Sequence, residues 1–379
     1  MTYLFWCSLI FLVYPFVGYP VVLWIISTVF RRRHHREAIE PSVSVIIAGY
    51  NMAAVIHEKI INTLALTYPR DKCEILIASD ASEDTTAEAV RSFASQGVQL
   101  IELQQRYGKH YAQMVAVGVA KGEILVFTDA TIHLEADALL TMVSNFADPS
   151  VGCVSSVDTI VASKRAGAGE RLYVRFEMWL RSLEAQVGSL VSLSGSFFAA
   201  RREVCDKWHP DQSSDFFLAL HAKERGLRAI LDPECRSFYS VVSSNEAELK
   251  RKIRTIVHGL DVVFTHRQFL NPLRYGFFSW QLASHKLFRW LAPFATVLLF
   301  VSNIFLWKVG AFYRLTMILQ AILYGAGLLG LVARPLAQVK PFKLAAFFLL
   351  GNAATLTAWM KYCAGEKFVT WQPSRRTQG

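Results

Sequence analysis

The sequence predicts an α/β protein, a mostly parallel sheet sandwiched by helices, with transmembrane helices at its N- and C-terminal ends. Three observations predict it. From Pro41 onward, short apolar runs alternate with amphipathic stretches, the pattern of strands and covering helices in a parallel sheet. Long apolar stretches without charge stand at the two ends of the 379 residues. Acids follow the apolar runs rather than interrupt them, and in such sheets ligands bind outside the carboxyl ends of the strands.

The first span runs from Leu4 to Phe30 without a charged residue, enough to cross a hydrocarbon core of about 30 Å at about 1.5 Å per residue. It has no basic start and no small-residue cleavage site, so it reads as a permanent anchor rather than a signal peptide. "RRRHHR", Arg31 to Arg36, follows at once and places this flank and the domain after it in the cytoplasm. Leu291–Leu306, Leu315–Val332 and Leu344–Met360 read as three more spans. Ahead of them, Gln268 to Trp290 mixes aromatics with isolated basic residues and reads as an amphipathic segment lying on the membrane. The expected organisation is an anchor with basic flank (1–36), a cytoplasmic domain (37–262), an interfacial segment (263–290), C-terminal spans (291–363) and a tail (364–379). One conflict is built in. Three later spans leave the tail outside, yet it carries Lys367, Arg375 and Arg376 just after Lys361. Either a segment is re-entrant, broken at "FLLGNAAT" around Gly351 and Asn352, or charge parity is overridden.

Composition narrows the partners. The chain is 53% hydrophobic and 18% charged with a net charge of +10, which suits a protein lying against an anionic lipid bilayer and handling a polyanionic substrate. No basic-aromatic recognition module is visible, so no nucleic acid partner is expected. The six cysteines are scattered without a CxxC pair, as in a reducing compartment.

Within the domain, Val43–Ala48, Cys73–Ser79, Val98–Leu103 and Glu123–Thr128 read as strands. Val55–Leu66, Thr85 to about Phe93 and Tyr111–Val119 read as the helices between them. The first strand ends in "AGYN", Ala48 to Asn51, the second in Asp80, and the fourth in Asp129. Asp84–Thr85 is placed to cap the next helix. Asp80 or Asp129 alone is explained by a cap or an Asx turn; at one edge of one sheet they point to a shared site. "ILVFTDATIH" (Ile124–His133) then poses a question, because it offers one acid where a metal-nucleotide site usually offers two.

Seven stretches, in order from Pro41 to Gly259, resemble the membrane-bound family 2 glycosyltransferases, whose nucleotide-sugar fold is called GT-A: "VSVIIAGYN", "YPRDKCEILIASDASEDTT", "RYGKHYAQMVAV", "EILVFTDAT", "SGSFFAARREV", "SSDFFLALHAKERG" and "RKIRTIVHG". "SHKLFRWLAP" resembles the segment leading into that family's membrane helices. The resemblance implies an inverting transfer of a sugar from a nucleotide diphosphate donor, usually UDP-linked, to a glycan or lipid-linked acceptor in surface polysaccharide synthesis. It implies an integral protein of a bacterial inner or plasma membrane. On this reading Ala48, Tyr50 and Asn51 contact the nucleoside, Asp80 holds the base or ribose, and Lys109 lies near the donor. Asp129 matches the first acid of the D-x-D motif, which holds the diphosphate through Mg²⁺ or Mn²⁺. Asp215 matches the general base, Gly195 and Ser196 the acceptor-side loop, and Arg251 and Arg254 the basic segment that closes over the diphosphate.

The chemistry needs these residue types in any case. A sugar hydroxyl is a poor nucleophile, so a carboxylate must take its proton, and direct inversion needs only one such base. Lys, Arg and a divalent cation stabilise the leaving diphosphate. Mg²⁺ needs one or two protein carboxylates when phosphates supply other ligands, so a single Asp129 remains workable. The chain departs from the family at three places. Thr131 stands where the second acid of D-x-D would, with His133 two residues on as a surface or core histidine or a recruited ligand. Met52 stands where relatives often carry Glu. Arg251-Lys252-Ile253-Arg254-Thr255 keeps the arginine of the processive enzymes' Q-x-x-R-W signature but not its Gln or Trp, although "FVTWQPSRR" resembles their C-terminal Trp-Arg element. The alternatives are a processive synthase like those of cellulose, chitin or hyaluronan, and a catalytically inactive membrane scaffold.

Overall fold

The computed structural model describes residues 1–160, 168–239, 245–333 and 335–368. The stretch Ser155–Gly169 and the C-terminal "FVTWQPSRR" lie partly outside them. The chain forms two compact units, one of Met1–Val29, Lys164–Glu177 and Ser244–Lys367, the other of Phe30–Ser163 and Met178–Ser243.

The second unit is built on one sheet of β1 (Val43–Gly49), β2 (Cys73–Ser79), β3 (Val98–Glu102), β4 (Ile124–Thr128), β5 (His133–Leu134), β6 (Val151–Ile160), β7 (Phe197–Arg201) and β8 (Arg228–Tyr239). Their order across the sheet is β3-β2-β1-β4-β7-β6-β8-β5. The first four are parallel, as the alternation with helices predicts. β7 then runs antiparallel to both β4 and β6, β8 returns parallel to β6, and β5 closes the edge antiparallel to β8. The sheet is therefore mixed, with its parallel half carrying the expected strand ends.

Strand periodicity explains why those apolar runs are nearly continuous. Neighbouring residues on a strand point to opposite faces. Ile46, Phe127 and Phe198 enter one cluster, while Val45, Val126 and Phe197 enter another. Both faces are thus covered, and β4 buries all five of its residues. The helix Ala53–Leu64 presents Ile56, Lys59, Ile60 and Thr63 as its buried stripe. Met52, just ahead of it, packs with Ile47, Ile56 and Ile77. Its place among the departures therefore has a packing reason: it is a core residue.

The other unit is helical. Among the described residues, four helical runs are long and apolar enough to cross a membrane: Thr2–Val29, Phe277–Leu306, Ala311–Val332 and Lys340–Cys363. The run carrying Leu291–Leu306 starts already at Phe277, taking in part of the stretch read as interfacial. Lys340–Cys363 passes unbroken through Gly351 and Asn352, with Asn352 Nδ2 donating to the Phe348 carbonyl at 2.9 Å. A re-entrant break at "FLLGNAAT" is absent. Close helix approach is made by small residues: a Cβ on Gly330 would stand 2.6 Å from the Phe342 carbonyl oxygen. Several polar groups here are paired, which offsets the cost of burying them. Glu177 meets His285 at 2.7 Å and Arg289 at 2.9 Å, and Tyr14 OH takes a bond from Trp280 Nε1 at 2.7 Å.

Candidate active site

The site grows from the ends of the parallel strands. After β1 the chain turns at Asn51, whose φ of 49° lies in the left-handed region that Asn tolerates better than most side chains. The turn is tied to the loop after β2. Asn51 N donates to Ser82 Oγ at 3.0 Å, and Asn51 Oδ1 accepts from Glu83 N at 2.9 Å. Asp84 serves two helix starts at once, accepting from Thr86 N at 3.1 Å and from Ala53 N at 3.0 Å. Tyr50 lies under the Arg106 guanidinium, 3.7 Å from its ring centre, a cation–π contact. The Ala48 side chain is in the core, so only its backbone can face a ligand.

Asp80 is 2% exposed, and its carboxylate is neither a helix cap nor an Asx turn. Oδ1 accepts from Tyr107 N and Oδ2 from Gly108 N, each at 2.8 Å. Two charge-assisted bonds thereby fix the loop that leads into the helix Lys109–Val119. Gly108, with φ 97°, makes the turn that a side chain would strain. Lys109, first residue of that helix, ion-pairs with Asp129 Oδ1. No donor reaches Asp129 Oδ2 among the described residues.

Asp129 is joined in turn to the loop ahead of β7, because its N–H donates to the Ser196 carbonyl at 3.0 Å. That loop, Ser194-Gly195-Ser196, is where the remaining acids meet. Ser194, Ser196 and Ser237 hydroxyls all donate to Asp158 Oδ1, at 2.5, 2.6 and 3.0 Å. Gly195 faces Asp215: a Cβ there would lie 3.4 Å from both Cγ and Oδ2. Asp215 opens the helix Ser214–Glu224 without capping it. Its Oδ1 takes the Ser213 hydroxyl and its backbone carbonyl takes Leu193 N at 2.9 Å, while Oδ2 has no donor among the described residues. The same helix start is tied to the Lys109 helix by Ser214 Oγ donating to Gln113 Oε1 at 2.8 Å.

The structure therefore joins Asp80, Lys109, Asp129, Ser196, Gly195 and Asp215 through one chain of contacts within one unit. Arg251 and Arg254 sit on the helix Asn245–Thr265 of the other unit, where Arg251 donates twice to Glu248 at 2.7 Å. Thr131 and His133 are both exposed, and His133 occupies the short edge strand β5. Two residues escaped the sequence reading. Asp158, on β6, has no local signal, since its serine partners come from β8 and a distant loop. Lys59 has one: it is a lysine at an i+3 position in an otherwise apolar stripe.

Lys59 is 2% exposed. Its Nζ donates to Thr128 Oγ1 at 3.0 Å and to the Ile132 carbonyl at 2.7 Å, clamping the turn on both sides of Asp129. Burial pushes its pKa from 10.5 down to about 7, against the pull of nearby Asp129. Between those values the unfolded chain holds a proton that the folded chain has lost, so this group makes stability rise with pH from about 7 to 10.5. Thermal melts of wild type and Lys59→Met across that window check it. The difference between the two proteins is expected to shift in favour of wild type as pH increases, and a pH-independent difference contradicts it.

Comparison with known proteins gives the same picture. The family model described as "Glycosyl transferase family 2" matches residues 44–208, which contain β1 to β7 and the Asp80, Lys109, Asp129 and Asp158 positions. The chain is 28% identical over 214 residues to the β-monoglucosyldiacylglycerol synthase of a Nostoc strain, covering 52% of this chain and 46% of that protein. It thus spans about half the length of that relative. It is 24% identical over 280 residues to the poly-β-1,6-N-acetyl-D-glucosamine synthase of Staphylococcus aureus, covering 68% of this chain and 67% of the other. Among solved structures, the mannosyltransferase PcManGT from Pyrobaculum calidifontis, in complex with GDP-Man and Mn²⁺, superposes with a TM-score of 0.72 at 25% identity over 96% of this chain and all of that one. Residues 44–208 of this chain are thus similar to glycosyl transferase family 2, in agreement with its strand order and strand-end acids.

Proposed function

We propose that the chain is a membrane-embedded inverting glycosyltransferase that moves a sugar from a nucleotide-sugar donor to a hydroxyl of a lipid or glycan acceptor. The observation that carries this reading is the Ser194–Ser196 loop, which touches the backbone of Asp129 on one side and the carboxylate of Asp215 on the other. Asp215 is the general base. Its Oδ2 accepts no bond among the described residues, leaving it able to take the proton of an acceptor hydroxyl, while Ser213 holds Oδ1 and orients the carboxylate. Tyr50 and Asn51 border the nucleoside. Asp80 acts through the 107–108 backbone, setting where Lys109 begins. Lys109 and Asp129 meet the donor diphosphate. Gly195 and Ser196 receive the acceptor beside Asp215, which a Cβ at Gly195 would meet at 3.4 Å.

The residues present fit Mg²⁺ or Mn²⁺ only in company with phosphate. Asp129 offers one hard carboxylate oxygen, Thr131 adds a hydroxyl without charge, and diphosphate oxygens must supply the rest. When bound, such a cation neutralises charge developing on the departing diphosphate. The relatives are named as synthases of β-monoglucosyldiacylglycerol and of poly-β-1,6-N-acetyl-D-glucosamine, and the structural neighbour holds GDP-Man; a UDP-sugar is the proposed donor. The four apolar runs are the proposed membrane spans, with the sheet unit on the cytoplasmic side, where Arg31–Arg36 puts it.

The test is transfer itself. The full chain, purified in detergent, is incubated with radiolabelled UDP-, GDP- or dTDP-sugars and a membrane lipid extract. One donor class is expected to label a lipid- or glycan-linked product. Nucleotide binding without turnover of any donor would instead support the inactive scaffold. The staphylococcal relative favours a second outcome, processive synthesis, which product length decides: a ladder of long polymer marks it, and a single added sugar excludes it.

A further inference from the structure

The charges around Asp129 are not those a bare divalent cation needs. Where the D-x-D pattern has its second acid, this chain has the exposed Thr131. The one carboxylate is already neutralised, because Lys109 Nζ pairs with Asp129 Oδ1 and is itself only 15% exposed. A second amine stands behind the same turn, Lys59 on Thr128 and Ile132. Asp158, which reaches this region through Ser196, has Oδ1 committed to three serine hydroxyls, and Asp215 lies on the far side of the same loop, against Gly195. Among the described residues no group of three or more His, Cys, Asp or Glu side chains is placed to hold a metal.

A free Mg²⁺ or Mn²⁺ would have to expel the Lys109 ammonium and then sit beside it with little carboxylate charge in return, a repulsion that a partly desolvated site screens poorly. A diphosphate meets the reverse situation. It attracts Lys109, and once Lys109 turns to it, Asp129 is released as a ligand. Resting on the function proposed above, we infer that this site binds the nucleotide diphosphate first and without metal, that Lys109 transfers from Asp129 to the diphosphate, and that the divalent cation enters only afterwards, held mainly by phosphate oxygens. The single acid is then sufficient, because the site never has to capture a naked cation.

Calorimetric titration of the full chain in detergent micelles tests this. Mn²⁺ alone is expected to give no saturable binding. UDP or GDP in the presence of EDTA is expected to bind, and Mn²⁺ is expected to bind the nucleotide-saturated protein. Lys109→Met is expected to weaken nucleotide binding in EDTA by about tenfold or more, the loss of one charge-assisted phosphate contact, while making Mn²⁺ binding to the free protein measurable. One equivalent of Mn²⁺ bound by nucleotide-free wild type, and lost in Asp129→Asn or Asp158→Asn, overturns the inference while leaving the proposed function intact. Failure of both nucleotides to bind, with or without Mn²⁺, overturns the nucleotide-site reading and this inference with it.

Discussion

Asp215→Asn is expected to slow sugar transfer by about 10²–10⁴-fold, the range a positioned general base contributes, with nucleotide affinity unchanged. Asparagine keeps the shape of the side chain and can still accept the Ser213 hydroxyl, so the helix start at Ser214 and the bond from Leu193 N to the Asp215 carbonyl are undisturbed. What it loses is the open oxygen's capacity to take a proton. In an inverting displacement that proton must leave the acceptor hydroxyl as the new bond forms, and among the described residues the Asp215 carboxylate lies nearest to Gly195. Initial rates with labelled donor, beside calorimetry with UDP or GDP, separate the two quantities. Equal transfer by both proteins at equal nucleotide affinity removes Asp215 from the mechanism.

Asp129→Asn is expected to lower transfer by about 10²–10³-fold, with a different signature. Here affinity should change as well as rate, and in opposite directions under two conditions. In EDTA, nucleotide should bind at least as tightly as to wild type, because Lys109 has lost the partner that competes with the diphosphate. With Mn²⁺ present, the variant should lose the gain in affinity that wild type shows. Asp215→Asn should do neither. A variant at Asp129 that bound nucleotide more weakly in EDTA would mean that Asp129 acts on the donor other than through Lys109 and the cation.

The parallel half of the sheet was legible because it is made of local signals. Its first three strands are apolar runs each followed by a turn and a helix, and β1, β2 and β4 end in polar residues at the same edge. Asp80 and Asp129 could be placed there without coordinates for that reason. The half containing β5 to β8 was not legible. β7 pairs β4 and β6, and β8 pairs β6 and β5, so its order depends on long-range pairings that no window of sequence contains. "SSVDTI", Ser155 to Ile160, gives no hint that its aspartate will gather hydroxyls from Ser194, Ser196 and Ser237.

The sequence by itself determined the α/β alternation, the apolar runs able to span a membrane, and the acids at the strand ends, because periodicity and punctuation are properties of neighbours along the chain. Tertiary structure alone decided what each charged group faces. It turned Asp80 onto two backbone amides, set Lys109 against the lone Asp129, buried Lys59 beneath that turn and brought Asp215 to Gly195. Electrostatic partnership falls steeply with distance in space and is blind to distance in sequence, so the charge of such a site can be counted only after the chain has folded.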